Sequence, residues 1–176
     1  MIISQDQFIQ LTKMVNNLAI FIKTLEKQTD FKIGYPTPER YNITQHFGEN
    51  PQIYKKFGFA GHFGTDFAAP NGSPILACDN GYIERVNFST GNGYFVELRH
   101  DWGFSLYLHL KEKPTWGIGQ QFFKGMEIGK VGNTGFVIPE PTPDKPLQGS
   151  HLHFSIIVNN IKNEPYKNFI DPENYF

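Results

Sequence analysis

Two short histidine-bearing stretches, His62-Phe-Gly-Thr-Asp66 and His151-Leu-His153, constrain this chain more than any other feature. The residues around both read as strand. The first lies in GHFGTDFAAP, with glycines, a β-branched threonine and a closing proline; the second lies in SHLHFSIIV, an alternating β-prone run. Residues two or four apart share one face of a strand. His62 and Asp66 are therefore expected to point the same way, as are His151 and His153. Zinc takes about four ligands, and catalytic sites use three protein groups and leave one position for water. Four polar groups for three ligand positions leave one imidazole to handle protons. That surplus predicts a hydrolytic rather than a structural zinc site. A lone His-x-His is more often a surface pair, so the reading needs further matches.

At 176 residues the chain has room for one ordinary domain and an appendage. Its 17 glycines and 12 prolines favour a turn-rich β protein. The formal net charge of -1 gives no reason to invoke nucleic acid. Cys78, the single cysteine, excludes a disulfide framework and a Cys-rich zinc site, and within SPILACDNG it reads as a small core residue. No stretch approaches the roughly 20 apolar residues of a membrane span. The first residues lack a basic flank before an apolar run, so no secretion signal is expected.

Residues 4–28 read as one amphipathic helix. Ser4 and Gln7 fit a capping box, and Ile3 with Phe8 fits a hydrophobic staple. Phe8, Leu11, Val15, Leu18, Ile22 and Leu25 recur at spacings of three and four, with Met14 and Phe21 widening the stripe. Either the helix docks on a neighbouring surface, or it forms a short coiled coil that makes oligomers. Pro36 and Pro38 mark a stiff linker over 31–40, leaving 1–30 as the appendage and 41–176 as the main domain. Strands are expected near 81–87, 94–100, 104–109, 126–131 and 151–158. The fold class is therefore mostly β, an antiparallel sheet with an open active-site groove, plus the N-terminal helix. In FSLYLHL, alternation puts Tyr107 and His109 on one face and Leu106, Leu108 and Leu110 on the other.

From Gly61 onward the chain resembles the lysostaphin-type (LytM-type) zinc endopeptidases, which cut peptide bonds in bacterial cell walls. The likeness runs in order through GHFGTDFAAPNGSPILACDNGYIERV, GNGYFVELRHDWGFSLYLHL, KGMEIGKVGNTG and HLHF. It implies that His62, Asp66 and His153 bind Zn2+, and that His109 and His151 are catalytic histidines outside the ligand set. It also implies that YNITQHFG is a lead-in strand and His100 a structural turn residue, and that the groove takes small residues beside the metal. The chain departs from the family between Gly135 and His151, where FVIPEPTPDKPLQGS replaces a few residues. Phe136, Val137 and Ile138, at the start of this insert, are expected to form a groove wall, and His46 to lie at its rim. Tyr107 is a candidate hydrogen-bond donor near the metal, against the plainer reading of a buried, satisfied tyrosine.

The sequence thus predicts a zinc metalloendopeptidase acting on peptidoglycan peptides. Its rival is a non-catalytic binding or structural module of a virion or cell-wall complex. Members that only bind partners have typically lost ligand residues, and every position is filled here. Without an export signal, a route to the wall is supplied by a virus particle or by release at lysis. The expectation is a bacteriophage protein, in the virion or the host cytoplasm before lysis, with the helix serving an oligomer or particle.

Overall fold

A computed structural model describes residues 4–29 and 31–176, and of residues 24–29 only the backbone. Two compact units meet between Phe31 and Lys32. The first holds helix α1 (Gln5–Thr29). Its start is a reciprocal capping box: the Ser4 amide donates to Gln7 Oε1 at 2.9 Å and the Gln7 amide to Ser4 Oγ at 3.2 Å. Phe8, Leu11, Met14, Val15, Leu18, Phe21 and Ile22 are exposed. Ile3 of the expected staple and the side chain of Leu25 lie outside the described residues.

The second unit is β-rich. Its strands are β1 (Ile43–Gln45), β2 (Thr65–Phe67), β3 (Pro74–Leu76), β4 (Gly81–Ser89), β5 (Gly93–Arg99), β6 (Gly103–Leu110), β7 (Gln121–Phe122), β8 (Glu127–Lys130), β9 (Leu152–Val158) and β10 (Phe169–Ile170). Before β2 runs a short helix, α2 (Pro51–Tyr54), continued by a 3-10 turn over Lys55–Phe57. The main sheet is antiparallel, in the order β1-β2-β9-β6-β5-β4-β7, with β10 also on β9; β3 and β8 form a second, two-stranded sheet. The five longer strands fall where sequence alternation put them. The strands of two or three residues are too short to show a period, and of these only the lead-in strand β1 and part of the strand expected through the first histidine stretch, β2, match the sequence reading.

The sheet's two faces differ. Tyr107, Phe154 and Phe67 face back, where Tyr107 and Phe154 pack at 5.2 Å and Phe176 meets both Phe154 and Phe67. The front carries a second apolar cluster, in which buried Phe95, Leu106, Leu108 and Phe169 support Phe47, Phe59 and Phe63 of the 46–63 segment. That cluster holds the segment against the sheet and so fixes one wall of a groove.

Two expectations need correcting. Residues 33–37 are not a free linker. Ile33 and Gly34 donate backbone hydrogen bonds to Tyr175 and Cys78, Leu76 donates to Pro36, and both Ile33 and Thr37 are buried. The prolines stiffen a segment that the fold itself uses. Likewise, the strand expected through the first histidine stretch begins only at Thr65, so His62 lies on the loop before it.

Candidate active site

Asp66 on β2 stands opposite His153 on β9, and Leu108 on β6 stands opposite the same histidine. Residues paired across antiparallel strands share a face, so all three point to the front. His62 reaches the same spot from its loop. Gly64 permits this approach: a Cβ there would run into the Phe154 carbonyl, Ser155 Oγ and His153 Nε2.

Three atoms converge. His62 Nε2 lies 2.8 Å from His153 Nδ1 and 3.1 Å from Asp66 Oδ1, and His153 Nδ1 lies 2.9 Å from Asp66 Oδ1. All three residues are buried. His62 Nδ1 donates to the His46 carbonyl at 3.1 Å, which leaves Nε2 as a lone pair. His153 Nε2 lies 2.7 Å from Ser155 Oγ, and donation there frees Nδ1. Burial pushes the His153 pKa down to about 4. Burial also opposes charge on Asp66, but the His153 and His62 rings set against it outweigh burial and hold the carboxylate below its usual range. Two imidazole lone pairs and a carboxylate thus face one point. Such a donor set repels itself unless a cation sits there, and its chemistry fits zinc. The group can hold a metal ion.

Two further imidazoles border the cluster. His109 and His151 lie 4.7 Å apart by ring centroid, and His151 Nε2 is 3.6 Å from Asp66 Oδ2. His109 Nδ1 donates to the Thr134 carbonyl and His151 Nδ1 to the Gly149 carbonyl, both at 2.8 Å. Each therefore keeps a lone pair on Nε2. Burial, then the neighbouring imidazoles of His151 and His153, push the His109 pKa down to about 3.

A bulge places His109 on the front. Tyr94 pairs with Leu110 and Val96 with Tyr107, so Phe95 alone opposes both Leu108 and His109. His109 takes a left-handed φ of 60°, and its amide donates to the Asn92 carbonyl. The extra residue turns His109 to the front, whereas strict alternation would have left it with Tyr107. Tyr107 stays on the back. Its hydroxyl accepts from the Cys78 amide at 2.9 Å and lies 3.1 Å from Ser105 Oγ, so the candidate role near the metal is withdrawn in favour of the buried, satisfied tyrosine.

The groove over this cluster has a volume of about 650 Å³. Phe136, Val137 and Ile138 line it, as the insert suggested. His46 does not: its exposed ring bonds Glu173 Oε1 at 2.8 Å, and only its carbonyl serves the site, through His62. His100 is structural, stacked on Trp102 at 4.5 Å and bonded to the Asn80 carbonyl and Ser105 Oγ. Sequence reasoning passed over Tyr54, Gln45 and Phe63. Tyr54 packs on the His62 ring at 5.2 Å and donates to Gln45 Oε1 at 3.0 Å; the buried Gln45 Nε2 has no hydrogen-bond partner among the described residues. Phe63 packs on His153 at 4.5 Å. Its place inside the HFGTD stretch was the available signal, whereas Tyr54 and Gln45 sit in no periodic pattern.

A front-face cluster of two histidines and an aspartate, flanked by two more histidines above an antiparallel sheet, defines a metallopeptidase-like site. Residues 60–165 match peptidase family M23, and the chain belongs to that family. It is 35% identical over 105 residues to the peptidoglycan DD-endopeptidase ShyC of Vibrio cholerae, covering 59% of this chain and 22% of that protein. Among solved structures it resembles a zinc-containing peptidase from Vibrio cholerae (TM-score 0.60, 27% identity, 80% of this chain and 39% of the other). Lysostaphin from Staphylococcus simulans is similar too (TM-score 0.59, 25% identity, 77% of this chain and 49% of the other). The chain spans 22% to 33% of the length of the first curated relatives it matches. No described helix is long and apolar enough to cross a membrane.

Proposed function

We propose that the chain is a zinc-dependent endopeptidase that hydrolyses peptide bonds in bacterial peptidoglycan, with His62, Asp66 and His153 as ligands and His109 and His151 as the proton-handling pair. The observation that carries this reading is the separation of five groups into two kinds. Three donor atoms converge on one point, and two imidazoles beside them have their Nδ1 protons committed to backbone carbonyls. A zinc ion held by these three residues would lower the pKa of bound water to about 7 and would polarise the scissile carbonyl.

The chain's own residues then do the rest. The free Nε2 of His109 or His151 accepts a proton from the attacking water and returns one to the leaving amine. Burial keeps His109 neutral, so its Nε2 lone pair is available. Phe136 and the residues after it form the insert-side wall. The substrate class rests on family membership and on relatives described as peptidoglycan DD-endopeptidases.

Metal analysis before and after chelation, paired with digestion of purified walls from several bacterial chemotypes, tests the proposal. Digestion that stops with chelation and returns with zinc is the expected outcome. Full digestion by metal-free protein would overturn it.

The helix belongs to the same proposal as an attachment device, for self-association or for a phage particle. It carries no candidate site residue, and its described apolar residues are exposed. A chain starting at Lys32 should keep zinc and wall digestion while losing any association seen by sedimentation of the full chain. Loss of zinc from the shortened chain would make the helix part of the catalytic unit.

A further inference from the structure

The groove runs across the strands. Thr44 and Gln45 of β1 line it at one end, Asp66 and His153 stand in the middle, and His109 leads towards Asn92 in the β4–β5 turn. At this last end its two walls meet. Phe136 of the insert is fixed to the turn by its amide, which donates to the Gly91 carbonyl at 2.9 Å. From the other wall, Phe57 meets Phe136 edge to face at 5.7 Å. Lys56 Nζ sits 4.9 Å from the Phe57 ring centre and 4.5 Å from that of Phe136. Lys167 holds the Phe57 side in place, donating to the Phe57 carbonyl at 3.1 Å while lying over the Phe59 ring. An aromatic clasp of Phe57 and Phe136 therefore closes the groove at its β5 end.

Charge completes the picture. Among the described residues, no carboxylate lies within salt-bridge distance of Lys56 Nζ. Among the described residues, Asp66 is the one acidic side chain lining the groove, and it faces the donor cluster. A peptide lying across the site meets the clasp, where the exposed Lys56 ammonium, which does not itself line the groove, sits on the two rings that do. Resting on the proposed peptidase reading, we propose that Lys56, Phe57 and Phe136 form a specificity-determining stop. It takes a short C-terminal segment of the substrate and binds its free carboxylate through Lys56. The enzyme then prefers bonds close to a free carboxyl end of a wall peptide over bonds deep within a continuous chain.

The test uses zinc-loaded full-length protein and three synthetic peptides: a wall pentapeptide ending in a free D-alanyl carboxylate, its C-terminal amide, and the same peptide extended by three glycines. Because Lys56 is exposed, an ion pair there predicts about two- to fivefold discrimination. The amide should lose that much kcat/KM through KM, with kcat little changed. Lys56→Gln should bring the acid and the amide level by weakening the acid alone. Phe136→Ala should raise cleavage of the extended peptide. Calorimetric binding of the acid and amide peptides reads the same preference without turnover. Equal affinity of wild-type protein for the two, or equal cleavage of the extended peptide, would overturn the stop. Carboxylate-selective binding with no cleavage of any peptide or wall would instead overturn the peptidase reading and leave the stop standing.

Discussion

The converging donors and the two outer imidazoles lie within a few ångströms of each other, yet different kinds of backbone build them. Asp66 and His153 stand on strands in regular register, and each is placed by its neighbour across the sheet. His109 and His151 depend on irregular backbone instead. His109 sits on a bulge with positive φ, His151 sits on a single bridge to Gly132 at the mouth of β9, and each ring is oriented by a carbonyl from a loop. Regular pairing fixes the distance between Asp66 and His153, and His62 joins them from its loop, oriented by the His46 carbonyl. Bulges and loop carbonyls re-aim single side chains, which proton transfer needs.

This contrast gives testable asymmetries. His153→Ala should have the largest effect, abolishing both zinc retention and wall digestion, as read by metal analysis and turbidity. Zinc at full stoichiometry in that variant would break the division. Next, His109→Ala and His151→Ala should keep zinc and lose about 10²–10⁴-fold in kcat. An empty site in His151→Ala would move that residue into the ligand set. Ser155→Ala removes the partner of His153 Nε2 and should weaken zinc affinity about 10–100-fold in a chelator competition, with kcat at saturating zinc much less affected.

The smallest effect concerns the back of the sheet. Burial lowers the pKa of His100. Below the ordinary value of about 6.5 the unfolded chain takes up a proton that the folded chain refuses, so stability from this residue is full above that pH and is lost as the pH falls through it. Urea unfolding between pH 7 and 5 should show a shallower acid decline for His100→Gln than for wild type. An unchanged slope would remove His100 as its source.

The same contrast explains what the sequence made legible. The period of two revealed β9 and the front face of His153, because residues along that strand obey regular pairing, while His151 lies just before the strand on an isolated bridge. It failed at His109, where one inserted residue reverses the face, and so it wrongly grouped His109 with Tyr107. It also carried a strand back through His62, which in fact arrives on a loop. The family resemblance nominated His109 without needing to know about the bulge. Neither route found Tyr54 or Gln45, whose places follow from how the 46–63 segment lies on the front aromatic cluster. The prolines at 36 and 38 looked like spacer chemistry, since a stiff extended segment reads alike whether it runs free or lies along a fold.

Cys78 offers a practical opening. It is fully buried behind the sheet, and burial pushes its thiol pKa up to about 12. At neutral pH it carries almost no thiolate, the species that reacts with maleimides and oxidants. The native protein therefore needs no cysteine removal before labelling. A cysteine introduced at exposed Ile138 on the groove wall would be the one accessible thiol in the chain. A fluorophore attached there would report peptide entry in real time.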